Sequence, residues 1–418
     1  MSTPDWSYPL ALFGAVGVEL EYMIVDRDSL DVRPFCDRLF HAAAGREVSD
    51  FAPDGEAGVV SWSNELALHV VELKTRRPVR SLDGLDRLFQ DHIARIDALL
   101  ATMNARLLPT GMHPWMHPDR ETRLWPHENN EIYRAYDRIF GCRGHGWGNL
   151  QSTHINLPFA NDAEFGRLYA AVRLLLPLLP ALSASTPIVD GARSPFADHR
   201  MEVYRTNSLR VPMMAGLVIP EPVFTREGFE RDILARLYDD LAPLDPAGVL
   251  RHEFANARGG MARFDRGAVE IRVIDSQECP LAEVALTALV VEVVRAMVEE
   301  RWTPTGEQRK VATEPLYQAL LDTVRNADDA VIADESILRS FGLPGRPIRA
   351  GEVWVHLLGS CRDRLRPWST TLERLVRAGT LSKRIRGALP PEPTRAELRA
   401  VYGELADCLS TGRLFRVP

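Results

Sequence analysis

The sequence predicts an α+β fold: an antiparallel or mixed sheet of about six strands, with helices packed on one side. Three observations predict it. The strand-like segments are separated by unequal stretches, several of them carry one polar face, and helical periodicity fills the intervals. The strand patterns fall at about 15–26, 57–62, 66–75, 105–111, 150–157 and 268–275.

The first strand pattern includes GVELEYMIVD (17–26), an apolar run holding Glu19 and Glu21 two residues apart. Both carboxylates leave one face, roughly 6–7 Å apart by the strand rise. Like charges that close need a proton or a cation between them. In NELALHVVELKT (64–75), Glu65 and Glu72 bracket another apolar run. Their odd spacing sends them to opposite faces of a regular strand, unless a bulge intervenes or Glu65 precedes the strand. Glu72 is the stronger candidate, with a simple pairing to Lys74 as its alternative.

A helix follows, where Leu82, Leu85, Leu88, Phe89, Ile93 and Ile96 keep helical spacing after Ser81, the expected N-cap. GMHPW (111–115) brings His113, with His117 four residues on. Pro114 and Pro118 disfavour the helix that such a zinc pair needs. STHIN (152–156) follows the glycine-rich loop GCRGHGWGN and alternates His154 and Asn156 onto one face. RSPFADHRMEVYR (193–205) carries Arg193, Arg200 and Arg205, suited to holding a carboxylate or to a charged surface loop. In VEIRVID (269–275), Glu270 and Arg272 share a face. They form either a salt bridge or a metal-binding acid beside a guanidinium that neutralises phosphate or carboxylate oxygens.

Further helical patterns occupy about 128–140, 162–185, 226–242, 281–300 and 315–333. The chain reads as one catalytic domain, 1–418, with a sheet-containing core to about 280 and a helical extension from about 281. The 418 residues are 45% hydrophobic with net charge -7, which argues against a nucleic-acid partner. Five cysteines without CxxC spacing give neither a zinc site nor a disulfide framework. MSTPDWSYPL lacks the pattern of a signal peptide, and the run LLLPLLPALSASTPIV from Leu174 is shorter than a bilayer span. The expectation is a cytoplasmic protein with no membrane partner.

No GxxxxGK[ST] loop is present, and FGAVG (13–17) does not open a helix. An oxygen-rich site favours Mg²⁺ or Mn²⁺ over zinc, and ATP bound here must be anchored by carboxylate-held metals. In combination, GVELEY, VELKT, GMHP, HIN, SPFADHR and VEIRVID resemble, in that order across 17–275, the type 2 glutamate–cysteine ligases and their carboxylate–amine ligase relatives. The resemblance implies a glutamine-synthetase-like sheet cradling ATP and two or three Mg²⁺ ions, Mn²⁺ being the alternative. Glu19, Glu21, Glu72 and Glu270 match the metal-binding acids, with Glu65 and His154 as additional members. Arg272 resembles the catalytic arginine that contacts the transferring phosphate or the activated carboxylate, Glu270 beside it is the second catalytic candidate, and His154 and Asn156 join Arg272 on the ATP side. Arg193, Arg200, Arg205 and His113 are candidates for holding the amino-acid substrate. The implied activity is ATP-dependent amide formation, glutamate–cysteine ligase first, through γ-glutamyl phosphate and toward glutathione. A different acid or amine, or a small-molecule phosphotransferase, are the alternatives. The oligomeric state stays open, a homodimer included.

Overall fold

The computed structural model describes residues 8–417; the first seven residues of the N-terminal segment read above lie outside them. The central strand is β1 (Gly17–Asp26), ten residues long. Around it lie β2 (Asp50–Phe51), β3 (Val60–Asn64), β4 (Val70–Thr75), β5 (Ala105–Leu108) and β6 (Ser152–Pro158). β7 (Ile188–Val189) and β8 (Ala192–Arg193) make a small hairpin, and β9 (Gly260–Arg263) and β10 (Ala268–Asp275) complete the main sheet. Its order is β2-β3-β4-β1-β6-β10-β9, with β5 also paired to β1, and every pairing in it is antiparallel.

β1 organises the sheet because it is long enough to use three partners. Glu19–Met23 pair with β4 along one edge. Along the other, Gly17–Leu20 pair with β6 and Met23–Asp26 with β5. The sheet has two strands more than expected, the short β2 and β9. Two and four residues are too few for alternation to register in a sequence.

Alternation along β1 sorts its side chains. Val18, Leu20, Tyr22 and Ile24 enter the main core, where helices Leu85–Ala101, Asp162–Leu175 and Pro280–Val298 pack. Met23 and Val25 point the other way, into a second core built with Leu381, Ile385, Val401 and Leu405 of two C-terminal helices, Leu381–Ala388 and Arg395–Thr411. Helices therefore cover both faces, which corrects the one-sided expectation. Pro280–Val298 is apolar on nearly every side, the pattern of a helix enclosed by protein. The prolines of the Leu174 run break it into a helix, a 3₁₀ turn and a further short helix, all buried. Among the described residues no helix is long and apolar enough to cross a membrane.

Ser81 is not an N-cap. Helix Leu85–Ala101 starts at Gly84, whose φ of 80° is the left-handed region that favours glycine, and Ser81 Oγ accepts instead from the Asp83 amide at 3.1 Å.

Candidate active site

The cross-strand register assembles the acids. Glu21 stands opposite Glu72, Glu19 opposite His154, and Glu270 opposite Asn156. Because paired residues share a face, carboxylates from β1, β4 and β10 and the imidazole of β6 meet on one surface. His154 Nδ1 lies 2.9 Å from Glu19 Oε2 and 3.8 Å from Glu270 Oε1, and its Nε2 lies 3.8 Å from Glu21 Oε1. Asn156 Nδ2 donates to Glu19 at 3.1 Å, and the Ser152 amide to Glu21 at 2.7 Å. Glu65 resolves its spacing problem by sitting between β3 and β4, ahead of the strand proper.

The electrostatics expose an excess of negative charge. Burial raises the Glu21 carboxyl, and repulsion from Glu19 adds to it. Burial, then Glu21 and Glu72, pushes Glu65 well above the usual range. Burial lifts Glu72 to about 7 although Lys74 Nζ lies 3.0 Å away. Glu19 is the exception: burial pushes it up, but the hydrogen bond and charge of His154, helped by Lys74, hold it near 2. Burial disfavours the His154 imidazolium, yet Glu19, Glu21 and Glu270 raise it to about 9.

Such a surface fits divalent cations. Glu19, His154 and Glu270 offer ligand atoms within 4.8 Å of one another, as do Glu21, Glu72 and His154. Oxygen donors dominate both groups, the preference of Mg²⁺ and Mn²⁺. A cation there relieves the repulsion that raises Glu21, Glu65 and Glu72.

Beside the acids opens a cleft with about 900 Å³ of open space, into which Glu21, Glu65 and His154 face. Arg200 and Arg272 also line it. Arg272 Nε is tied to Glu270 Oε1 at 3.0 Å, so its guanidinium is held at the edge of the acid cluster. Much of the rest of its lining is aromatic: Tyr133, Tyr136, Trp147, Tyr204 and Phe254. Trp147 packs 5.2 Å from Tyr136 and stacks on Phe140 at 5.3 Å. The sequence reading missed this aromatic lining. Its signals were Tyr133 and Tyr136 at i,i+3 on one helix face, and a tryptophan inside the glycine-rich loop.

Three expected substrate contacts lie elsewhere. Arg193 spends its donors on the carbonyls of Arg386, Leu389 and Pro390, tying β8 to the C-terminal helices. Arg205 pairs with Glu202 on its own turn. His113 is fully buried, with Nε2 on the Leu30 carbonyl at 2.8 Å, and burial lowers it to about 3. Of the three arginines in the 193–205 segment, Arg200 lines the cleft.

Residues 15–340 match the sequence profile of glutamate–cysteine ligase family 2 (GCS2). An uncharacterized protein of Archaeoglobus fulgidus is 37% identical over 286 residues, 68% of this chain and 75% of the relative. A protein of Rubrobacter xylanophilus, provisionally named glutamate–cysteine ligase 2-1, is 27% identical over 85% of this chain and 83% of its own length. The structure of glutamate–cysteine ligase from Francisella tularensis in complex with AMP superposes with a TM-score of 0.60. It is 14% identical, over 98% of this chain and 91% of that one, and so shares the glutamine-synthetase-like α+β fold. With the profile spanning most of its length, this chain is a ligase and belongs to glutamate–cysteine ligase family 2.

Proposed function

We propose that the chain is an ATP-dependent carboxylate–amine ligase that joins glutamate to cysteine, giving γ-glutamylcysteine through γ-glutamyl phosphate. The observation that carries this reading is the meeting of Glu19, Glu21, Glu72, Glu270 and His154 on one sheet surface beside a cleft that holds two arginines. A carboxylate is a poor electrophile. Transfer of the γ-phosphate of ATP to the substrate carboxylate makes it one, and the amine then displaces phosphate.

Glu19, Glu21, Glu72, Glu270 and His154, with Glu65 beside them, would hold two or three Mg²⁺ ions, or Mn²⁺. Bound there, the metal supplies charge neutralisation for the triphosphate. Arg272, fixed by Glu270, faces the negative charge that develops on the transferring phosphate. Arg200 takes the substrate's α-carboxylate as a planar donor pair. Asn156 holds Glu19 in its orientation toward His154. A cytoplasmic setting belongs to the same proposal; the five cysteines are free and buried.

A second reading, with a bulkier amine in place of cysteine, is favoured by the aromatic lining. Five aromatic side chains enclose more surface than a cysteine side chain covers. Purified protein with Mg²⁺, ATP and glutamate separates the two. ADP release that depends on cysteine, with equimolar amide, supports the first reading. Release that depends on an aromatic or branched amine instead supports the second. ADP formed with a stable phosphorylated acid and no amide rejects ligation for both.

A further inference from the structure

Behind Arg200 lies a second acidic site that differs from the first in being closed. Asp198 and Asp275 are completely buried, and Arg200 is nearly so. Asp275 ends β10, and its Oδ1 accepts from Arg200 Nε. Its Oδ2 accepts from the Ser185 amide at 2.8 Å, Ser185 Oγ at 3.1 Å and Thr186 Oγ1 at 3.2 Å. Asp198 caps helix His199–Tyr204 by accepting from the Met201 amide at 2.9 Å. With its Nε edge taken by Asp275, Arg200, itself one of the residues lining the cleft, leaves Nη1 and Nη2 only loosely engaged, 3.4 and 3.5 Å from the Arg272 carbonyl.

One further residue makes this packing possible. A Cβ on Gly111 would fall 2.8 Å from Asp275 Cγ and 2.9 Å from its Oδ1, closer than atoms pack. The Gly111 amide also donates to Ser185 Oγ at 2.9 Å, the hydroxyl that in turn donates to Asp275. GMHP, SPFADHR and VEIRVID therefore meet around a single guanidinium, although His113 itself stays out of the cleft.

We propose that Asp275 is a positioning residue: it fixes the Nε edge of Arg200 so that the Nη edge is presented to a substrate carboxylate, and Gly111 supplies the space it needs. The substrate half of this statement rests on the ligase reading above; the positioning half does not. A charge-assisted, two-point contact requires its guanidinium in one orientation before the ligand arrives, and losing such a hydrogen bond costs about ten- to a hundredfold in affinity.

The test uses the full chain with two variants, Asp275→Asn and Gly111→Ala, the second displacing Asp275 without touching its charge. Solvent exchange of the Arg200 Nε–H, followed by NMR and assigned by its loss in Arg200→Lys, reads positioning directly. Calorimetry with L-glutamate reads the consequence. The expected result is a protected Nε–H in the unaltered protein and exchange faster by about tenfold or more in both variants. Glutamate binding weakens by a similar factor, and the loss shows in KM ahead of kcat. Added to Arg200→Lys, either change brings no further loss in glutamate affinity. A protected Nε–H in the folded variants, or losses that multiply with Arg200→Lys, overturns the proposal. Should Asp275→Asn not fold, Gly111→Ala decides alone. If the unaltered protein binds no glutamate, the substrate reading fails while the exchange measurement still decides the positioning.

Discussion

Two halves of one face of β1 met opposite fates. Glu19 and Glu21 stand on that face, and so do Met23 and Val25, two and four residues further on. The first pair belongs to the acid cluster, with Glu21 lining the cleft; the second is sealed beneath the C-terminal helices. Local alternation is the same in both halves, so what covers the face decides which becomes a site. Two histidines mark the contrast. In the acidic half, neighbouring carboxylates overcome burial and raise His154 to about 9. His69, next to Val70, which pairs with Met23, is fully buried, and burial lowers it to about 4.

The largest effect falls on the acidic half. Glu19→Gln and Glu270→Gln each lower Mg²⁺-dependent ADP formation by about 10²–10³-fold, the usual cost of removing one electrostatic group aimed at the reaction. The fold survives, because amide side chains keep the size of the groups they replace. Steady-state rates at limiting Mg²⁺ and thermal unfolding test this together. Turnover like that of the unaltered protein in both variants would remove the acids from the chemistry.

Met23→Ala, one turn of alternation away, loses stability instead. Met23 is fully buried between sheet and helices, and truncating such a side chain costs about 2–5 kcal/mol. Denaturant unfolding measures the loss, and KM for ATP stays where it was. A changed KM with unchanged stability would mean that the two halves are not separate.

pH separates the halves by sign. The folded value of His69, near 4, is below its unfolded value of 6.5, so the unfolded chain binds more protons between them. Its contribution is complete above pH 6.5 and is lost as pH falls toward 4, about 3 kcal/mol for a shift of this size. His154 runs the other way in metal-free protein. Its folded value near 9 makes its contribution complete below 6.5 and lost as pH rises through 9. Unfolding free energy against pH should thus have a shallower acid limb in His69→Leu, where buried His113 still contributes, and a shallower alkaline limb in His154→Gln, where Glu72 still contributes. An acid limb undiminished in His69→Leu would contradict the burial of a neutral ring.

What was legible in the chain follows the same division. The sequence pattern marks β10 at its observed bounds, 268–275, and β1 within two residues, because long runs of β-branched residues with interrupting acids leave a period of two. The acids could be placed on shared faces for the same reason. The closure over Met23 and Val25 was not legible, since it depends on helices more than 350 residues away in sequence. The aromatic lining escaped too, as Trp147 and Phe254 come from short turns that no periodicity announces. Choosing Arg200 over Arg193 and Arg205 needed the partner of each guanidinium, which sequence spacing does not contain.

The smallest expected effect lies at the rim of the acidic half. Lys74 Nζ is 3.0 Å from Glu72 and 3.0 Å from Asp50, so one ammonium serves a buried and an exposed carboxylate at once. The Asp50 side chain is 54% exposed and that of Glu72 only 6%. Water screens the outer contact, so Asp50→Asn should cost less than about 1 kcal/mol of unfolding free energy. Turnover should stay within the error of the assay. Lys74 then leans wholly on Glu72, and the acid cluster keeps its compensating charge. A loss well beyond that limit, or a raised Mg²⁺ requirement in Asp50→Asn, would move the boundary of the charged half out to the sheet edge at β2.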